Sequence, residues 1–256
     1  MEIQSFKKKK NNKYEIIFKD QSSIDLYDDV IIKYNLLANK KMDNKLFEEI
    51  VKYNASLDAY YISLKYLNSK MRTKLEIKKY LEKKEFDNKT INETIEKLEN
   101  NKAVDESLYI KAFVNDQINF SNIGPNKIIN KLNTLGIDKK NSLEYINNID
   151  KNVWLEKLEK LINKKIKTNK KYSLMMLKNK IMTSLCNDGY DKSMIVEVLS
   201  NIDIKLDSSI INKEYEKIYN RLYKKFDGSA LEYQIKMKLK SKGFSNEEIE
   251  KIKLGN

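Results

Sequence analysis

The side chains whose type and spacing suggest chemistry in this 256-residue sequence are cationic, and the chemistry they suggest is the holding of anions. Arg72 precedes Thr73, and Glu76 follows Thr73 by three residues. Thr-x-x-Glu is the pattern of a helix capping box, and an arginine beside it can grip a carboxylate or a phosphate through two nitrogens at once. A capping box with a solvated arginine explains the same residues equally simply. Lysines gather in three stretches. Residues 65–84 carry eight basic residues against Glu76 and Glu82, and residues 164–180 carry seven lysines and no acid. Residues 221–242 carry seven basic residues against Asp227 and Glu232. Each stretch alone reads as a solvated helix face; their recurrence suggests a basic strip suited to a polyanion.

Much other chemistry is excluded. With no histidine, the chain has no His-based triad, no imidazole metal ligand and no imidazole pH switch. The one cysteine, Cys186, can form neither an internal disulfide nor a thiolate zinc cluster, and no histidine is there to activate it. Adjacent carboxylates such as Asp28-Asp29 and Glu247-Glu248 do not face each other on a helix, so they make poor acid–base pairs. Six glycines and one proline leave little from which to build a phosphate-cradling loop. The expectation is a non-enzyme with no cofactor and no bound metal. The N-terminal residues lack the apolar core of a signal peptide, and no apolar run is long enough to span a bilayer, so a cytoplasmic protein without membrane contact is expected.

The net charge of +13 has two readings. It can reflect an anionic partner, or codon drift, since Lys, Asn and Ile are the residues that AT-rich codons supply and Arg72 and Arg221 are the only arginines. With 41% hydrophobic residues and 34% charged, the chain is polar but rich enough in apolar side chains to fold.

The elements that must position these cations are helical from Ser56 onward. Earlier, Tyr14, Ile16 and Phe18 alternate at strand spacing, as do residues 23–27, which reads as a small hairpin or sheet. Short helices are expected at 28–34 and 43–53. The rest is a repeat. Ile77…Leu81…Glu85-Phe86 returns as Ile128…Leu132…Gly136-Ile137, as Ile181…Leu185…Gly189-Tyr190 and as Ile235…Leu239…Gly243-Phe244, with leucines 51, 53 and 54 residues apart. Ile and Leu at i and i+4 share a helix face, and glycine ends the helix in the left-handed conformation. Asp138, Asp191 and Ser245 then stand where a cap for the next helix belongs. A second helical pattern follows each frame, including Leu143/Ile146/Ile149. A longer helix precedes each, at 57–67, 106–120, 154–166 and 210–226, with Trp154, Leu158 and Leu161 as a core stripe in the third. The fold class is mainly α: tandem three-helix repeats in an elongated curved array, with a small β-containing N-terminal module. The boundaries are 1–54 for that module, then 55–104, 105–150 and 151–204 for three repeats, and 205–256 for a partial fourth.

These residues also carry a family resemblance. Met71-Arg72-Thr73-Lys74-Leu75-Glu76-Ile77 through Leu81, Lys84 and Phe86 resembles the opening repeat of the bacterial RecX family, regulators of the RecA recombinase. The acidic stretch Val104-Asp105-Glu106, then Ala112-Phe113-Val114, then Gly124-Pro125 before Ile128…Leu132…Gly136-Ile137 follow in the family's order. The third repeat's Leu185…Gly189-Tyr190 fits as well. The N-terminal strands and residues 28–34 are similar to the long form found in low-GC bacteria. Glu85 departs from the family's usual glycine, and Gln117 from its usual arginine.

The resemblance implies a monomer that binds RecA filaments on single-stranded DNA and restrains recombinase, ATPase and co-protease activity, with weak non-specific DNA binding besides. The contact candidates it suggests are Arg72, Lys74, Lys78 and Lys79 in the first repeat, Lys127 and Lys131 in the second, and Lys171, Lys178 and Lys180 in the third. A stand-alone nucleic-acid-binding helical repeat protein and a general interaction scaffold are the alternatives.

Overall fold

The computed structural model describes residues 1–204 and 209–253. The boundary expected at 204/205 and the last three residues of the partial fourth repeat lie outside the described residues.

The N-terminal module begins with a three-stranded antiparallel sheet in the order β1 (Ile3–Lys8), β2 (Lys13–Phe18) and β3 (Ser23–Tyr27). Ile16 pairs with Phe6 on one side and Ile24 on the other. Asn11 and Asn12 turn β1 into β2 with φ of 61° and 56°, the paired left-handed conformation that matches strand twist and that asparagine tolerates. Strand β1 is absent from the sequence expectation for a physical reason. Its apolar alternation is limited to Ile3 and Phe6, and a register shift between Ile3 and Ser5 breaks it.

Helix α1 (Asp28–Lys33) follows, then α2 (Asn44–Leu67), which opens on Asp43, whose carboxylate accepts from Leu46 N at 2.7 Å. One 24-residue helix thus stands where two were expected, and residue 54 lies in its middle. Buried Asn54 shows why the helix does not break there. Its Oδ1 accepts from Tyr27 N at 3.1 Å and its Nδ2 donates to Asp25 O at 3.1 Å, so the polar side chain completes the hydrogen bonding of β3. Tyr27 also donates to Asp58, which pairs with Lys13. Helix α2 packs on the sheet through Ile50 and Leu57. Its C-terminal half contributes Ala59 to a core with Ile77, Leu81, Ile91 and Leu98 of α3 (Lys74–Glu82) and α4 (Asn88–Asn100).

Beyond these come α5 (Glu106–Phe120), α6 (Pro125–Thr134), α7 (Lys139–Asn147), α8 (Lys151–Lys167), α9 (Leu174–Asn187) and α10 (Lys192–Asn201). The last three are α11 (Ser209–Leu222), α12 (Gly228–Lys240) and α13 (Asn246–Lys253). The repeated Ile and Leu are buried in every frame. Two stripes shift by one residue. In α7 the buried positions are Ser142 and Ile146 while Leu143 is exposed; Ser142 Oγ satisfies itself on Asp138 O at 3.2 Å. In α8 Trp154 and Leu158 are joined by Ile162, with Leu161 only half-buried.

Each frame ends in a left-handed residue: Glu85 at φ 64°, Gly136 at 85°, Gly189 at 90° and Gly243 at 88°. The three glycines also meet an earlier helix start. A Cβ on Gly136 would lie 2.6 Å from Leu75 Cβ, one on Gly189 2.5 Å from Lys127 N, and one on Gly243 2.6 Å from Met176 Cβ. Each turn therefore docks, backbone first, on the first turn of α3, α6 or α9. Glu85 belongs to the first frame and is exposed, so a side chain fits there at the cost of backbone strain alone. Glu85→Gly is expected to stabilise the protein by about 0.5–1 kcal/mol; an unchanged or lower urea midpoint would contradict this account.

The chain divides into two compact units, residues 1–110 with 134–137, and residues 111–133 with 138–256. In the second, Lys157 Nζ donates to Gln117 O at 2.7 Å near the end of α5, and its burial pushes its pKa down to about 8. Glu214 on α11 is buried and accepts from Lys242 and from Lys217. Burial works to raise its pKa, but the hydrogen bonds from these two ammonium groups outweigh it and hold the carboxyl below its ordinary range. A folded-state pKa below the unfolded one gives stability that is present above the unfolded value and lost as pH falls through the folded one. Thermal melts from pH 5 down to 3 should therefore lose stability more steeply for the native protein than for Glu214→Gln; parallel curves would refute the assignment.

Candidate nucleoprotein-binding surface

The capping box at the start of α3 is formed in full: Thr73 Oγ1 accepts from Glu76 N at 3.2 Å, and Glu76 Oε2 accepts from Thr73 N at 2.9 Å. Arg72 is half-buried beside it. Its guanidinium lies 4.2 Å from the Tyr66 ring centroid, and its terminal nitrogens donate to Glu76 and Ser69, each at 3.4 Å. Tyr66 in turn stacks on Tyr80, centroids 4.1 Å apart and planes 11° apart. Arg72 is thus held in one orientation by α2 and α3, through contacts long enough to be exchanged for a better acceptor. Lys74 is engaged more tightly, 2.8 Å from Glu99 and 3.8 Å from Glu106; the Glu99 hydrogen bond raises its pKa. Lys78 and Lys79 are exposed on α3 with no ion pair among the described residues.

On α6, Lys131 is exposed. Lys127 takes part in the docking of the Gly189 turn: its Nζ donates to Asn187 O at 3.2 Å and lies 3.7 Å from Asp188. Around it, Gly124 N donates to Asp188 O at 2.7 Å and Asn126 N to Gly189 O at 3.0 Å. Asp191, expected to cap α10, makes no side-chain cap; it accepts from Asn126 Nδ2 at 2.9 Å.

The strongest concentration of positive charge lies between the end of α8 and α9. An open groove of about 730 Å³ is lined by Lys165, Lys170, Lys171, Tyr172 and Lys180, among other residues, and no acid lines it. Ser173 caps α9 by accepting from Met176 N, so the Lys170-Lys171-Tyr172 turn is fixed at the groove mouth. Lys171 and Lys180 bring their ammonium groups to 5.1 and 4.7 Å from the Tyr172 ring centroid. Burial of the Tyr172 hydroxyl works against ionisation, but its hydrogen bonds and proximity to these two lysines prevail and lower its pKa. Lys165 donates to Ser184 Oγ at 2.8 Å. Lys178 is exposed on α9. The fold thus joins Lys171 to Lys180 around one ring; it adds Lys165 and Lys170, counted in the basic stretch but not among the contact candidates, and Tyr172, which the sequence reading did not single out. The alternation of basic and aromatic residues in Lys170-Lys171-Tyr172 was the available signal.

Comparison with known proteins decides the family. The model for the first three-helix domain of RecX matches residues 59–98, which hold Arg72, the capping box and the first repeated frame. The regulatory protein RecX of Lactococcus lactis is 30% identical over 91% of this chain and 88% of its own length. The chain belongs to the RecX family. The regulatory protein RecX of Bacillus cereus is 32% identical over 86% of this chain and 83% of its own. Both relatives come from low-GC bacteria and are matched over most of their length. A crystal structure of a regulatory protein RecX superposes on this RecX-family chain with a TM-score of 0.70, covering 78% of it and 98% of the other chain at 22% identity. The RecX of Lactobacillus salivarius superposes at 0.56 over 59% of this chain and 97% of its own, at 25% identity. Among the described residues, no helix is long and apolar enough to cross a membrane.

Proposed function

We propose that this RecX-family regulator binds RecA filaments assembled on single-stranded DNA and restrains their recombinase, ATPase and co-protease activities. The observation that carries the reading is the acid-free lysine groove around Tyr172 in a member of this family. Clustered lysines release condensed counterions from a phosphate backbone, and they follow any strand or filament that presents one. The protein works as a monomer without catalysis of its own: it need only bind one filament state better than another to shift the population. The repeats serve as successive contact units, with Arg72, Lys74, Lys78 and Lys79, then Lys127 and Lys131, then Lys171, Lys178 and Lys180 facing filament protein or DNA. Arg72 and Lys74 exchange their glutamate partners for partner carboxylates or phosphates on binding.

The test is the single-stranded-DNA-dependent ATPase of RecA from the same organism, titrated with this protein below one copy per RecA. Inhibition at substoichiometric amounts, weakening as salt is raised, is the expected result. Undiminished ATPase at excess protein would sink the assignment. The same groove also favours the stand-alone nucleic-acid reading, which would show as tight, sequence-selective gel shifts on naked DNA.

A further inference from the structure

We propose that the outer edge of β1 is a docking site for an extended acidic segment of a partner protein, which joins the sheet as a fourth strand. Strand β1 stands at the end of the order β1-β2-β3, so one of its edges has no strand beside it. Which of its groups face that edge follows from the bonds around β2. Lys9 N donates to Lys13 O at 2.8 Å, and Phe18 N donates to Ser22 O at 2.9 Å. In an antiparallel ladder the bonded side alternates residue by residue. The odd residues of β2 therefore bond β1 and the even ones β3, in register with the pairs Ser5–Ile17 and Lys7–Glu15. That leaves Phe6 and Lys8 sending their N–H and C=O groups outward. Neither has a backbone partner on that side among the described residues.

The same edge already pairs with extended backbone at its start. Ile3 N donates to Lys40 O at 2.8 Å, Met42 N donates to Met1 O at 2.9 Å, and Glu2 forms an antiparallel bridge with Lys41. Pairing goes no further because residues 35–39 are a turn, in which Ala38 N and Asn39 N both donate to Asn35 O. Charge then selects the occupant of the rest. Lys7, Lys8 and Lys10 are exposed with no ion pair among the described residues, while Lys9 is held by Asp25 at 2.8 Å and Glu15 at 3.8 Å. A second copy of this chain is a poor occupant, because like charges facing across a ladder destabilise it and lysines on an edge keep such strands apart. A carboxylate-bearing strand meets the same lysines favourably. Nucleic acid fits less well: its phosphates answer the lysines but bring no donor for the outward carbonyls. A peptide strand brings donor and acceptor in alternation.

The experiment is fluorescence anisotropy with the whole 256-residue chain and no recombinase or nucleic acid. One probe is a labelled peptide of about ten residues alternating Glu and Val. The other has the same sequence N-methylated at every residue, which keeps the charge and removes the N–H groups. Charge alone would bind both to a basic protein, and only edge pairing separates them. The plain peptide should bind about tenfold tighter or more, and it should protect the Phe6 and Lys8 amides from hydrogen exchange. Lys8→Pro removes an outward N–H at a place where edge strands accept proline, and should lose about tenfold. Lys8→Gln removes the charge alone and should lose less. Equal affinity for the two peptides, unprotected Phe6 and Lys8 amides, or no peptide binding at all would each overturn the proposal. So would self-association that Lys8→Pro abolishes while peptide binding stays intact. Should the proline variant fail to fold, the two peptides and the amide exchange on the native protein still decide. The RecA ATPase assay fails or succeeds separately, because no recombinase is present here.

Discussion

Gly189→Ala is expected to destabilise this RecX-family chain by about 2–5 kcal/mol, from two sources that add at one methyl group. The residue sits at φ 90°, where a side chain costs about 1–2 kcal/mol. Its Cβ would also lie 2.5 Å from the backbone nitrogen and the Cβ of Lys127, and 3.0 Å from its Cα. Backbone cannot step aside as a flexible side chain does, and forced overpacking costs about 1–3 kcal/mol. The displaced turn would weaken the bonds from Gly124 N to Asp188 O and from Asn126 N to Gly189 O, so the loss should be local to the α6–α9 junction. Hydrogen exchange at Gly124 and Asn126, together with urea unfolding, reads both effects. Gly228 supplies the control: nothing lies within 4 Å of its Cβ position, so Gly228→Ala should pay only for its φ of 46°. Equal losses at the two sites would mean that close approach contributes nothing.

Replacing Lys171, Lys178 and Lys180 together by Glu should raise the amount of protein needed to inhibit RecA ATPase by on the order of tenfold to a hundredfold. The three side chains are exposed, so the variant should fold as the native protein does. Reversal leaves Lys165 and Lys170 in the groove, so residual binding with a flatter salt dependence is expected rather than none. Each phosphate contact removed should lower the salt slope by about one. Inhibition at native amounts with the native salt slope would remove the groove from the interface. Loss of potency with an unchanged slope would instead assign these lysines to acidic protein surface.

How much of this was legible beforehand can be followed residue by residue. The Ile–Leu frames, the helix at 106–120 and the capping boxes at Thr73–Glu76 and Ser245–Glu248 are local: spacing of i to i+4 or i to i+3 suffices, and the structure has them. Strand β1 was not legible, because its pairing with β2 comes from a hairpin turn and a bulge rather than from its own alternation. The unbroken α2 was not legible either. Asn54 looks like a helix-weakening polar residue until β3 is beside it. At the surface, Lys171 and Lys180 were visible as charge, but their convergence on Tyr172 was not, since nine residues separate them in sequence.

The glycines show the division most plainly. Sequence alone pointed to the ends of the repeated helices where Gly136, Gly189 and Gly243 stand, because glycine freely adopts the left-handed conformation that commonly closes a helix. It also excluded imidazole chemistry and an internal disulfide, since the chain has no histidine and one cysteine. Tertiary structure decided that the same glycines are contact points, each admitting an earlier helix start, through side-chain atoms of Leu75 at Gly136 and of Ser173 and Met176 at Gly243 and through the Lys127 backbone at Gly189, that would collide with a Cβ. It decided as well that Glu85 can stand in the first frame, and that Asp191 bonds Asn126 rather than its own helix. Conformational preference is a property of a residue and its neighbours in the chain. Close approach is a property of two segments some 60 residues apart, and only folding brings them together.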